Sequence, residues 1–128
     1  MLIGVPKEIK NNEYRVGLIP ASVKELIAHG HQVVVEHDAG AGVDFPDAEY
    51  VDAGAEIVWS EKDIFSRADM VVKVKEPQPE ECAMLRDGQV LFTYLHLAPD
   101  PNQTALLLKS GATCVAYETV TAMVRCPC

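Results

Sequence analysis

Basic residues are scarce in this chain. Eleven Lys and Arg stand against 19 Asp and Glu, a net charge of −8 over 128 residues. The shortage argues against nucleic acid or an anionic membrane surface as a partner, because holding phosphates needs a basic footprint. A small anion is a different matter, since a local pair of cations is enough for one. Long apolar runs are missing too, and none approaches the ~20 residues that cross a bilayer. The amino terminus, MLIGVPKEIK, has neither the basic nor the apolar region of a signal peptide and reads as a first strand. The expected location is the cytoplasm.

Cysteine is sparse and badly spaced for a metal. Cys126 and Cys128 form a terminal C-P-C, whereas zinc sites present C-x₂₋₄-C pairs with a second pair elsewhere. No metal site is expected. Cys82 and Cys114 fall in a predicted helix and strand and read as buried free thiols. A complete dinucleotide fingerprint is also absent. In DAGAGVDFPD, Gly40 and Gly42 match the first two glycines of G-x-G-x-x-G, but Phe45 occupies the third place and Pro46 follows. That third glycine lets a helix pack closely on its strand, so the stretch reads as a glycine-rich turn.

What is present is ordinary for one soluble globular domain: 48% hydrophobic residues, 23% charged, mean hydropathy +0.04. A chain of this length buries roughly two-thirds of its unfolded surface. Strand-like runs recur at Leu2–Val5, Gln32–Glu36, Ala55–Trp59, Asp69–Lys75, Gln89–Tyr94 and Thr113–Tyr117. Between them lie helical stretches: one opened by Pro20 and closed by Gly30, one from Pro46 to Gly54, one starting near Ser60, one around Glu80–Arg86 and one from Pro101 to Lys109. Strands alternating with helices imply βαβ units, hence an α/β fold with a mainly parallel sheet and helices on both faces, Rossmann-like or flavodoxin-like.

The richest stretch runs from Asp69 to Asp100. Its apolar runs, Met70-Val71-Val72 and Val90-Leu91-Phe92, look like buried parallel strands. The first ends in Lys73, Lys75 and Glu76 before Pro77, and the second in Tyr94 and His96. Ligands of open α/β sheets sit at the C-terminal strand edge, so these ionisable ends suggest a shared site. Alternation places Lys73 and Lys75 on one strand face. Lys75 is then either a site cation or part of a polar face paired with Glu76. Arg15, in the loop KEIKNNEYRVGLIP, offers five fixed donors suited to a carboxylate, or is a solvated loop arginine. His96 titrates near neutrality and could exchange a proton, or is a hydrogen-bonded structural histidine. Tyr94 could line the same pocket. Glu8 and Glu13 are loop carboxylates, either of which could orient a cation, while His29, His31 and His37 read as surface residues.

Five stretches, IGVPKEIKNNEYRVGLIP, GHQVVVEHDAGAG, DMVVKVKEP, QVLFTYLHLA and AYETV, span residues 2 to about 120. They strongly resemble the N-terminal part of the bacterial alanine dehydrogenase family, which is shared with the nicotinamide nucleotide transhydrogenase α subunit. KVKEP and the histidine of LHLA resemble the alanine dehydrogenase branch more. The resemblance implies NAD-dependent oxidative deamination of L-alanine to pyruvate and ammonia. Arg15 and Lys75 match the family's substrate-binding cations, and His96 its catalytic histidine. It further implies a homo-oligomer, or a complementary chain carrying the NAD-binding domain.

On this reading residues 1–120 form a substrate-binding domain and residues 121–128, ending MVRCPC, an atypical tail. The chain looks truncated before the NAD-binding domain, and no cofactor-binding residue is expected within it. Three readings follow: a substrate-binding portion inactive by itself, a relic that still binds a 2-oxo acid, or a piece left functionless by an exposed apolar sheet face. A fragment of the transhydrogenase α subunit is the alternative within the family.

Overall fold

Among the described residues, six short runs of mostly β-branched residues make the strands: β1 (Leu2–Val5), β2 (Gln32–Glu36), β3 (Glu56–Val58), β4 (Met70–Val72), β5 (Val90–Thr93) and β6 (Thr113–Ala116). Five α-helices among the same residues connect them: α1 (Pro20–Ala28), α2 (Asp47–Asp52), α3 (Glu61–Arg67), α4 (Pro79–Cys82) and α5 (Pro101–Ser110). A computed structural model describes residues 1–9, 15–75, 77–93 and 101–116, the side chains of 101–104 and 116 excepted. All pairings are parallel, in the order β3-β2-β1-β4-β5-β6. The winding runs outward in opposite directions from β1 and β4. Those two neighbours, paired through Ile3 with Met70 and Gly4 with Val71, flank the switch point. The fold is therefore the doubly wound α/β fold expected from the alternation of elements.

Local sequence explains the elements. Pro20 opens α1, where its missing N–H is not needed, and Gly30, at φ 89, turns the chain away afterwards. Ser60 caps α3 by accepting the Asp63 N–H. Consecutive valines are buried on both faces, as strands of a covered parallel sheet require. Val33 and Val35 join Ile3, Val5, Val72, Val23 of α1 and Tyr50 of α2 in one core. Val34, Val58, Val71 and Leu91 meet Ile64 and Phe65 of α3, Cys82 of α4 and Leu107 of α5 on the other face. Tyr50 is fully buried and donates its hydroxyl to the Leu18 carbonyl at 2.8 Å, and burial pushes its pKa up to about 12. Cys82 and Cys114 are free thiols, the first buried and the second half-buried.

Three sequence expectations need correction. β4 stops at Val72, so alternation does not place Lys73 and Lys75 on a strand face. The chain leaves the ladder once the Lys73 N–H has bonded to the Phe92 carbonyl. β3 stops at Val58, and Trp59 lies outside it, 72% exposed and stacked on the His37 ring with centroids 4.2 Å apart. Helix α4 is a single turn and does not reach Arg86. Arg86 and Gln89 are used elsewhere: both donate to the Ala68 carbonyl, and Gln89 also to that of Phe65, closing the C-terminal end of α3. Among the described residues no helix is long and apolar enough to cross a membrane.

Candidate functional site

β1, β4 and β5 are neighbours, so the segments leaving their C-terminal ends emerge side by side at the switch point. Out of the first comes Glu8, out of the second Lys73, Val74 and Lys75, and the third ends at Thr93. These residues meet. Lys73 is 1% exposed, and its ammonium lies 2.9 Å from Glu8 Oε1 and 3.0 Å from Glu81 Oε2. Glu8 accepts two further bonds, from the Val74 N–H at 3.0 Å and the Lys75 N–H at 3.2 Å. Thr93, fully buried, donates its hydroxyl to the Lys75 carbonyl at 2.7 Å. Glu81, also fully buried, accepts the Gln78 N–H through Oε1. Its Oε2 faces the Lys73 ammonium at 3.0 Å.

One lysine between two carboxylates leaves an excess negative charge in a place nearly closed to water. Burial holds the Glu81 carboxyl above its ordinary range, partly offset by Lys73. For Lys73 burial works against the charge, but Glu81 and Glu8 together outweigh it and raise the ammonium above its ordinary value. Lys73 is therefore a buried structural cation.

The segment carrying Arg15 is brought to the same edge by a close approach. A Cβ on Gly17 would stand 2.5 Å from the Val72 carbonyl oxygen, a distance no side chain tolerates. Only glycine lets this loop lie on the end of β4. Arg15 itself is exposed and Lys75 half-buried. Tyr94 and His96, directly after β5, lie outside the described residues, as do Glu13, Glu76, Cys126 and Cys128. The structure thus gathers the backbone around Arg15 and Lys75 at one edge, where the strand ending one residue before Tyr94 also arrives.

Sequence reasoning named Lys73 with Lys75 among the ionisable strand ends without separating their surroundings, missed Glu81 and Thr93 as parts of this edge, and left Glu8 undecided. The signal for Glu8 and Lys73 lay in the element order: charged residues just past two strands that flank a switch point. Nothing in the sequence marked Glu81 or Thr93. His37, expected on the surface, is half-buried and held by two carboxylates, with Nδ1 2.5 Å from Asp47 and Nε2 3.3 Å from Asp38. That cluster ties the end of β2 to α2. A cleft of ≈ 340 Å³ lies at the other end of the strands, lined by His31, Gln32, Glu56 and Arg67 among others, and has no part in the edge just described.

Dinucleotides bind doubly wound sheets through a glycine-rich turn leading straight from β1 into a helix N-terminus. Here β1 leads into Pro6, Lys7 and Glu8, α1 begins only at Pro20, and a buried carboxylate occupies the switch point. The described residues do not fit a dinucleotide.

A family profile described as "Alanine dehydrogenase/PNT, N-terminal domain" matches residues 4–126. The alanine dehydrogenase of Methanococcus maripaludis is 54% identical over 120 residues, 94% of this chain but 32% of that protein. A solved L-alanine dehydrogenase superposes with a TM-score of 0.90 at 55% identity, over 93% of this chain and 33% of the other. A transhydrogenase from Sinorhizobium meliloti gives 0.89 at 31% identity, over 97% and 37%. The chain spans about a third of the length of the relatives it matches.

Proposed function

Because the chain belongs to the alanine dehydrogenase/PNT N-terminal domain family, we propose that it is the substrate-binding portion of an L-alanine dehydrogenase. In this reading Arg15 and Lys75 hold the carboxylate of alanine or pyruvate. Tyr94 lines the pocket. His96 exchanges a proton with the substrate oxygen as carbinolamine and ketone interconvert. The observation that carries the proposal is the convergence at the switch point: Gly17 seats the Arg15 segment on the end of β4, and Lys75 leaves that same strand end. Two cations at one strand edge supply the charge a small carboxylate needs, in a chain whose overall charge would repel it. Identity favours this branch over the transhydrogenase, 55% against 31%.

NAD enters this function as the group that accepts hydride from the substrate carbon. The described residues offer it no cradle, so its binding is assigned to the part of the relatives this chain does not span, or to a complementary chain. A homo-oligomer is part of the same proposal.

Pyruvate titrated calorimetrically into the purified chain tests the half-site. Saturable heat is expected, reduced at least tenfold in affinity by Lys75→Ala and less by His96→Ala. A folded, monodisperse chain that gives no heat, or a Lys75→Ala variant that binds like the parent, rejects the assignment.

A further inference from the structure

We infer that Glu8 and Thr93 are positioning residues that hold the backbone of Lys75 from both sides and so aim its side chain into the site. The inference rests on the substrate-binding role proposed for Lys75. Its geometry stands independently. After Lys73 the chain has left the sheet, so the next peptide groups have no strand ladder to bond with and need other partners. Both oxygens of Glu8 supply them on one side, Oε2 to the Val74 N–H and Oε1 to the Lys75 N–H. On the other side the Thr93 hydroxyl donates to the Lys75 carbonyl at 2.7 Å. Amide and carbonyl of one residue are thus gripped by side chains from two different strand exits.

The grip is anchored in the interior. Glu8 is 7% exposed and Thr93 fully buried, and Glu8 is fixed in turn by the Lys73 ammonium at 2.9 Å. Lys75 is half-buried, and its backbone is set by the core. A long lysine side chain carries much rotational freedom, and holding its Cα–Cβ direction removes the part that backbone motion would add. Productive contact with a ligand of pyruvate's size is sensitive to shifts of about an ångström. Glu8 and Thr93 therefore act on ligand binding through Lys75, without touching the ligand.

The test compares Thr93→Val, Thr93→Ser and Glu8→Gln with the parent chain, using pyruvate Kd by calorimetry and amide hydrogen exchange at Val74 and Lys75 by NMR. Valine keeps the shape of threonine and removes the donor, so the Lys75 carbonyl loses the bond it accepts from Thr93. Thr93→Val is expected to raise Kd about tenfold and to speed exchange of both amides about tenfold. Thr93→Ser should bring both back to within twofold of the parent. Glu8→Gln keeps one acceptor oxygen of two, so one of the two amides should lose its protection. A purely structural role would lower Tm in Thr93→Val while leaving Kd and the Lys75 amide unchanged, and that result overturns the inference. If the parent binds no pyruvate, the proposed function fails, and exchange alone decides the clamp: unchanged protection in Thr93→Val refutes it, and faster exchange restored by serine upholds it. Should Glu8→Gln not fold, the two Thr93 variants carry the test unaided.

Discussion

Lys73 shows how little a residue's type says about its task. It is one of 11 basic residues in an acidic chain, and it sits beside Lys75 in a stretch where both read as polar. Burial separates them, because Lys73 is enclosed with Glu8 and Glu81 while Lys75 is half-buried. Removing one member of a buried ion pair leaves its partners charged and unsolvated, at about 3–5 kcal/mol. Lys73→Met is expected to lose that much in urea unfolding, because two carboxylates would share the site with no cation. Glu81→Gln should behave differently. Burial raises the Glu81 carboxyl above its ordinary value of 4.5, so the folded chain holds this proton more tightly than the unfolded one. Its contribution to stability is full below pH 4.5 and falls as pH rises through the elevated folded value. Glutamine mimics the protonated acid and can still accept the Gln78 N–H. The variant should match the parent near pH 4 and gain on it as pH rises, Glu36 (also raised, chiefly by burial) acting equally in both. Parallel pH profiles for the two proteins would refute the account.

At the scale of elements, the working edge depends on how a loop is laid against a strand. β4 is only three residues long, and the Arg15 segment lies against its last carbonyl through Gly17. Gly17→Ala would drive a methyl into the Val72 carbonyl with no flexible neighbour to give way. Forced overpacking of this kind costs about 1–3 kcal/mol, and here the strain falls on the loop, because β4 is held by β1 and β5. The expected outcome is a modest fall in Tm together with weaker pyruvate binding. A loss of stability without loss of affinity would separate the Arg15 segment from the site. Gly4 does comparable work inside the sheet. A Cβ there would come within 2.8 Å of Ala68 and Ile64, so α3 lies on β1 more closely than any other residue would allow.

For the whole molecule, fold and cofactor part company. The strand order is that of dinucleotide-binding sheets, yet the turn after β1 holds a glutamate and a proline where phosphate would need glycines and a helix N-terminus. Hydride transfer requires the nicotinamide to be held against the substrate carbon, and that positioning must come from protein. The purified chain with L-alanine and NAD is therefore expected to give no absorbance change at 340 nm beyond the no-protein control. A steady rate that scales with chain concentration would overturn this.

The element order and the parallel sheet were legible in the sequence alone, and its expectation of no phosphate-binding turn rests on the same kind of local signal. Each rests on local properties: runs of β-branched residues, Pro20 and Gly30 bounding a helix, Phe45 where a glycine is needed. Element ends were read less well. Lys73 through Lys75 continue an alternating pattern, yet the chain leaves the sheet at Lys73, and the Glu8 carboxylate accepts the next two N–H groups. Of the candidate site, Arg15 was read as a loop cation and Lys75 as a cation at a strand end, each with a structural alternative, whereas Glu81 and Thr93 carried no local mark. Their partners are distant along the chain or peptide groups common to every residue. Which lysine is buried, which carboxylate grips a backbone and which glycine admits a loop are properties of contacts between segments far apart in sequence, and they exist once the chain has folded.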